Sequence, residues 1–328
     1  MTPTIGLLGD VMLGRKVAER IAQVGPEALW SDELAAICAG CDALICNLEC
    51  CISTRGEATR RVPGKPFFFR APPDATRALA AVGTRAVSLA NNHALDFETD
   101  ALLDTLGHLR AAGIEHVGAG LEAGEAHRAA IVDTGDVRIG LVAVTDHPRA
   151  YAATLDAPGV AWADLQAGVP DWLGLGIERM RADADLVVVS PHWGPNMTTE
   201  PASWQRQRAR ELIAAGADLV AGHSAHVFHG VERIAGRLVL FDLGDALDDY
   251  AVDDRLRNDL GILALWRAGS EPELELVALR LGFCETELAR GVDADWIADR
   301  LAQACSDLGT RVERLSEGRV ALVPGPTG

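Results

Sequence analysis

Six short, unbroken apolar runs constrain this chain more than any other feature: Ile5–Gly9, Ala43–Leu48, Ala86–Ala90, Ile139–Thr145, Leu186–Ser190 and Leu219–Ala221. None alternates apolar with polar residues. Each therefore reads as a strand covered on both faces, the pattern of a largely parallel sheet. Between them, Thr99–Ala112, Ile177–Asp183 and Ser203–Ala215 carry apolar residues at helical spacing, with Gly113 and Gly216 placed as C-terminal caps. Strands and helices in alternation predict an α/β fold.

The rhythm changes after residue 226. Val227–Ile234, Leu238–Leu243, Gly261–Trp266 and Leu274–Leu281 read as strands of a meander, separated by turns such as Ala235-Gly236. They predict a second, antiparallel part of a sheet. Asp293–Leu308 reads as a late amphipathic helix. No repeat, linker or low-complexity tract interrupts the chain, so residues 1–323 are expected to form one domain and 324–328 a flexible tail.

Composition narrows the function classes. At 328 residues and 48% hydrophobic, the chain can bury a large core. Its 47 acidic against 30 basic residues leave a net charge of −17, which repels phosphate backbones and anionic lipid; no nucleic-acid and no membrane partner is expected. No apolar run approaches the roughly 18 residues of a membrane span. Met1-Thr2-Pro3 leads straight into the first apolar run, with no charged n-region and no cleavage site, so the expected location is cytoplasmic. The seven cysteines are an odd number in a large chain and do not read as a disulfide framework. Cys38, Cys41, Cys46, Cys50 and Cys51 crowd into 14 residues. They straddle a helix end and a strand interior with no second pair to complete a metal set, and so read as small buried apolar groups.

The chemistry collects where the buried strands end. The first runs into Asp10, the second into Asn47-Leu48-Glu49 and the third into Asn91-Asn92-His93. The Leu186 strand runs into His192-Trp193, and the Leu219 strand into Gly222-His223-Ser224-Ala225-His226. Alone, each has an ordinary explanation: Asp10 as a turn or helix cap, the asparagines as a polar loop. Together they bring carboxylate, amide and imidazole to the carboxyl edge of one sheet, where ligands of open α/β sheets bind. That donor mixture suits manganese, iron or zinc. The other histidines, 108, 116, 127, 147 and 229, read as surface or packing residues.

These segments resemble the CapA family, named for bacterial capsule and poly-γ-glutamate synthesis. The matching text is GDVMLGR (9–15), NLE (47–49), KPFFFRAPP (65–73), SLANNHALDF (88–97), SPHWGPN (190–196), GHSAHVFHGVE (222–232), LGDALDDY (243–250) and RND (257–259). The resemblance implies an α/β, calcineurin-like metallophosphoesterase sandwich of two mixed β-sheets flanked by helices. It also implies a metal site: one ion on Glu49, Asn92, His192 and His223, a second on Asp10, Glu49 and His226, with His93 as proton donor. The second set is the less complete. Met12 stands where the superfamily has a histidine, and the paired histidines of the last motif are one residue further apart than usual.

Two chemistries fit. In one, a divalent metal assists hydrolysis or acyl transfer on a peptide, amide or phosphoester. In the other the site is metal-free, and Asp10 works with a histidine as an acid–base pair that epimerises an amino-acid α-carbon in a peptide. A non-catalytic binding protein is the third possibility. For substrate contact, Lys65 reads either as an anchor for a carboxylate or phosphate, or as a solvated loop lysine. Trp193 reads as a pocket wall or as core. Asp245, with Asp248 and Asp249, reads as a selective acidic rim or as a solvated turn. A small molecule or peptide is the expected partner.

Overall fold

A computed structural model describes residues 3–269 and 272–324. The tail expected at 324–328 lies outside them from residue 325 on. Two mixed sheets face each other. The larger has ten strands, with a path that runs Val312–Ser316, Arg319–Leu322, Glu273–Gly282, Leu260–Arg267, Thr4–Val11, Ala43–Leu48, Thr84–Ser88 and Glu115–Val117. Asp245–Leu247 and Glu285–Leu288 pair off this path. The smaller has six, in the order Val231–Ile234, Arg237–Leu240, Leu219–Ala221, Leu186–His192, Arg138–Thr145 and Ala130–Asp133. This is an α/β sandwich of two mixed sheets flanked by helices, the architecture the resemblance implies.

The unbroken apolar runs follow from the layering. In the strand Arg138–Thr145, Ile139, Leu141 and Ala143 point into the layer between the sheets, where they meet Ile5, Leu7 and Ile45 of the larger sheet. Val142 and Val144 point outward onto Leu173 and Ile177 of the helix Asp171–Asp183 and onto Leu212 of the helix Ser203–Ala214. The larger sheet is covered in the same way, Leu8, Leu44, Cys46 and Val87 packing under Val17, Leu34, Leu79 and Leu102 of four helices. With both faces apolar, period-two alternation disappears.

Several expected elements move. Gly174 and Gly176 hide the first turns of the helix that reads from Ile177; it begins at Asp171. Val227–Ile234 is a strand only from Val231, because the chain turns at His226, in the left-handed region at φ 59°, and His229 N–H donates to Asp242 O. Leu238–Leu243 ends as a strand at Leu240. The late strands are not one meander either. Val231–Leu240 forms a hairpin through Ala235-Gly236 that extends the smaller sheet, whereas Leu260–Arg267 and Glu273–Gly282 extend the larger. Among the described residues no helix is long and apolar enough to cross a membrane. All seven cysteines are free.

Candidate metal centre

Strand register assembles the site. In the larger sheet Asp10 pairs with Asn47 on one side and with Asp245 on the other, so three polar side chains share a row. The approach to Asp245 demands glycine at position 9: a Cβ there would lie 1.8 Å from Gly244 O. On the smaller-sheet side an isolated bridge sets His223, two residues past the Leu219–Ala221 strand, beside His192 at the end of its own strand. Left-handed backbone at Ser224 (φ 112°) and His226 (φ 59°) then turns the His226 ring back toward the carboxylates, which accommodates the longer spacing of the histidine pair. Ser224 Oγ donating to Gly194 O and Ala225 N–H donating to Asp242 hold that turn.

Asp10, Glu49, His226 and Asp245 offer ligand atoms that all lie within 4.8 Å of one another. All four are buried. His226 Nδ1 is 2.8 Å from Asp245 Oδ1, 3.6 Å from Asp10 Oδ2 and 4.0 Å from Glu49 Oε2. On the other flank His223 Nδ1 lies 3.6 Å from Asp10 Oδ1 and His192 Nε2 lies 4.0 Å from Glu49 Oε1. Tyr250 OH donates to Glu49 (3.2 Å) and Asn47 donates to Asp10 (2.7 Å). Ser190 Oγ meets His223 Nε2 at 3.0 Å, so the ring presents Nδ1 to the cluster.

Seven buried polar atoms in or beside this cluster have no hydrogen-bond partner: Asp10 Oδ2, Glu49 Oε1, Asn92 Oδ1, His223 Nδ1, Asp245 Oδ2, Asp248 Oδ2 and Asp249 Oδ1. Each such atom costs about 1–3 kcal/mol when left unpaired. Six of the seven are acceptor oxygens, and the seventh is an imidazole nitrogen. Convergent lone pairs of this kind fit a divalent cation. The titration behaviour agrees. Burial, then the charge of Asp10, pushes Glu49 well above the usual carboxylate range. Burial and the Asp248 and Asp10 carboxylates do the same to Asp245, and burial lifts Asp248 to about 6. Burial depresses His192 and His223. For His226 burial acts downward, but the Glu49 and Asp10 carboxylates outweigh it and hold the ring above its ordinary value.

Residues 4–250 match the family described as bacterial capsule synthesis protein PGA_cap. This chain belongs to the PGA_cap family. The family, which includes CapA, is part of the calcineurin-like metallophosphoesterase superfamily. The "Probable polyglutamine synthesis accessory protein" of Mycobacterium tuberculosis is 31% identical over 368 residues, covering 98% of this chain and 96% of that protein. The PGA biosynthesis protein CapA of Bacillus subtilis is 28% identical over 244 residues, covering 74% of this chain and 62% of that one. A crystal structure of TT1561 from Thermus thermophilus overlays loosely, with a TM-score of 0.43 and 10% identity over 80% of this chain and 94% of that one.

Within this PGA_cap member the two expected ligand groups differ from their sequence reading. The group expected to be incomplete, on Asp10, Glu49 and His226, is the tightly gathered one, because Asp245 joins it. Met12, at the missing ligand position, is buried in the core and its sulfur accepts from Gly14 N–H. Asp245 is therefore neither a rim residue nor part of a solvated turn: it, Asp248 and Asp249 are all buried. Pairing of Asp245–Leu247 with the first strand draws the segment inside, and no local signal announces a three-residue strand.

Lys65 is also reassigned. Its Nζ donates to Asn92 O (2.7 Å) and pairs with Asp96 (3.2 Å), so it is neither solvated nor free to hold a substrate. Trp193 is a core residue, 1% exposed, with its indole N–H on Phe241 O. Asp96 carries no sequence signal beyond its place three residues after His93, yet it organises that histidine. Its carboxylate accepts from Phe69 N–H and Tyr151 OH, and His93 Nδ1 lies 2.5 Å from it. The His93 ring stacks on Phe69 and turns Nε2 toward Glu49, 3.9 Å away. His147, read as surface or packing, has its ring 5.3 Å from that of His192 and borders the centre.

Proposed function

We propose that this chain is a metal-dependent enzyme of hydrolase or acyl-transferase type, acting on an amide- or phosphoester-bearing small molecule or peptide. The observation that carries the reading is the convergence of unpartnered buried acceptors on Asp10, Glu49 and Asp245. Manganese, iron or zinc suits these ligands. Asp10, Glu49, His226 and Asp245 would hold one ion, and Glu49, Asn92, His192 and His223 a second. A dication there supplies an acidified water and a polarised phosphoryl or carbonyl oxygen.

The chain's own groups supply proton handling. Asp96 accepts from Phe69 N–H, Tyr151 OH and the Lys65 ammonium, so the proton shared with His93 sits on Nδ1 and leaves Nε2 as the free lone pair. Burial holds His93 down to about 4. At neutral pH it starts each cycle as a base and becomes the proton donor for the leaving group only after taking up a proton. Asn47 and Tyr250 hold the carboxylates of Asp10 and Glu49 in place, and Ser190 orients His223.

The test is metal content by mass spectrometry on protein purified without chelator or nickel affinity, beside a His192→Ala/His223→Ala double variant. Near-stoichiometric metal that falls in the variant supports the reading; hydrolysis of p-nitrophenyl phosphoesters and γ-glutamyl p-nitroanilide is then screened. A wild-type protein that neither carries nor takes up metal overturns it. One observation favours a second reading, the metal-free epimerase in which Asp10 works with a histidine: His226, which lines the pocket, has its Nδ1 3.6 Å from Asp10. Solvent deuterium entering a peptide α-carbon in metal-stripped protein would favour it.

A further inference from the structure

The pocket that opens onto the centre has a cavity volume of about 310 Å³ and is mostly apolar, walled by Phe67, Phe69, Met197 and Tyr250. Among the described residues, Arg15 is the one guanidinium or ammonium group on its lining. Arg15 is buttressed from two directions. Its Nε faces the buried carboxylate of Asp249 at 3.2 Å, and its guanidinium carbon lies 5.4 Å from the Phe67 ring and 5.5 Å from the Phe69 ring. No terminal nitrogen of Arg15 donates a hydrogen bond to any described residue.

Two of the neutral polar groups here are already committed. Tyr250 OH bonds Glu49, and Asn258 bonds Ala251 O and Asp253 N–H. The backbone is also unusual. Arg15, Met197 and His226 all line the pocket, and all three are non-glycine residues in the left-handed region, at φ 51°, 57° and 59°. Such conformations persist where the surrounding structure over-determines them, commonly at ligand sites.

Phe69 ties this arginine to the reacting group. The ring that stacks on His93 at 3.8 Å is the ring that carries the Arg15 guanidinium, which therefore stands one aromatic ring away from His93. We propose that Arg15 is the oxyanion anchor of the substrate pocket: its free planar fork takes a carboxylate or phosphate on the part of the substrate that lies beyond the reacting bond, while the aromatic walls cover the apolar stem between. A planar fork with two free amino groups matches either oxyanion in a bidentate way, which an ammonium does not. In a mostly apolar pocket that opens beside buried carboxylates, this fixed cation gives an anionic substrate a place to dock. The inference rests on the metal-centre reading only for which end of the substrate reacts.

The experiment uses the full chain as purified and compares wild type with Arg15→Gln and Arg15→Lys. Three probes are titrated calorimetrically: N-acetylphenylalanine, its neutral amide, and phenyl phosphate. Metal content is read on the same samples. Arg15→Gln is expected to weaken at least one anion about tenfold or more, with Arg15→Lys between, while the neutral amide binds all three proteins alike. Loss confined to N-acetylphenylalanine identifies a carboxylate, and loss confined to phenyl phosphate identifies a phosphate. Unchanged anion affinity in Arg15→Gln, or equal loss for anion and amide, overturns the proposal. Wild-type protein without metal strikes the metal-centre reading instead, and the Arg15 comparison still decides the anchor. Thermal melts of both variants matching wild type exclude misfolding as the cause of any loss.

Discussion

The two sheets meet the site with opposite chemistry. The larger contributes oxygen: Asp10, Asn47 and Asp245 in one row, with Glu49 just past the end of its strand. The smaller contributes nitrogen, with His192 at the end of its strand and His223 and His226 in the loop after the Leu219 strand. Burial acts on both halves in contrary senses. It penalises charge, so Glu49 and Asp245 are driven toward protonation and His192 and His223 toward neutrality, while neighbouring carboxylates hold His226 up against it. A neutral imidazole is already a competent ligand. A cluster of buried carboxylates is not at ease until cations or protons arrive. The difference teaches that the oxygen half sets the demand for a compensating cation or proton, and the nitrogen half shapes the space around it.

The sharpest way to break this comparison is Glu49→Gln, which keeps the shape and removes the charge both ion groups would share. We expect metal content to fall close to zero and turnover to drop on the order of 10³-fold, read by mass spectrometry and by whichever hydrolysis assay responds. If the metal stays, the oxygen half is not what holds it. Asp245→Asn touches a single group and should remove about one ion of two, a stoichiometry that His192→Ala should match from the other side.

A histidine outside the ligand set tests the imidazole half's burial on its own. His229 is buried, its Nε2 lies 3.0 Å from Thr198 O, and burial lowers it to about 4. The unfolded chain binds that proton near pH 6.5, so between there and pH 4 the unfolded state holds more protons and stability rises with pH. Relative to His229→Gln, wild type should lose about 3 kcal/mol as pH falls through this window, measured by urea melts at fixed metal. A flat difference would mean that the site is open to water.

Ser190→Ala removes the oxygen that orients His223 and should weaken metal binding about tenfold in competition with a chelating dye. Trp193→Phe is the smallest change. Losing the bond to Phe241 O should cost about 1–2 kcal/mol of stability and leave metal content alone. A metal effect there would restore Trp193 to the site.

Much of this was readable in the chain itself. Unbroken apolar runs imply strands covered twice, and the residues at their ends, Asp10, Glu49, His192 and His223, are local in sequence to those runs. Asp245 was not readable as part of the ion group, because a three-residue strand acquires meaning only from the partner it pairs with, here the row of Asp10. Asp96 escaped for a similar reason. Its role depends on His93, Phe69, Tyr151 and Lys65 arriving from separate segments. Met12 shows the reverse case: the sequence marks the residue that departs from the superfamily, but not that a carboxylate more than two hundred residues later lies beside Asp10.

What the sequence determined alone is the layered α/β plan and the chemical type of the groups at the strand ends, since periodicity and residue identity are properties of short segments. The tertiary structure decided which of those groups face one another. It drew Asp245, Asp248 and Asp249 inside, set Trp193 in the core, committed Lys65 to Asp96, and left Arg15 with its fork free. Those outcomes depend on register between distant strands and on burial, and burial is what decides whether a charge must find a partner.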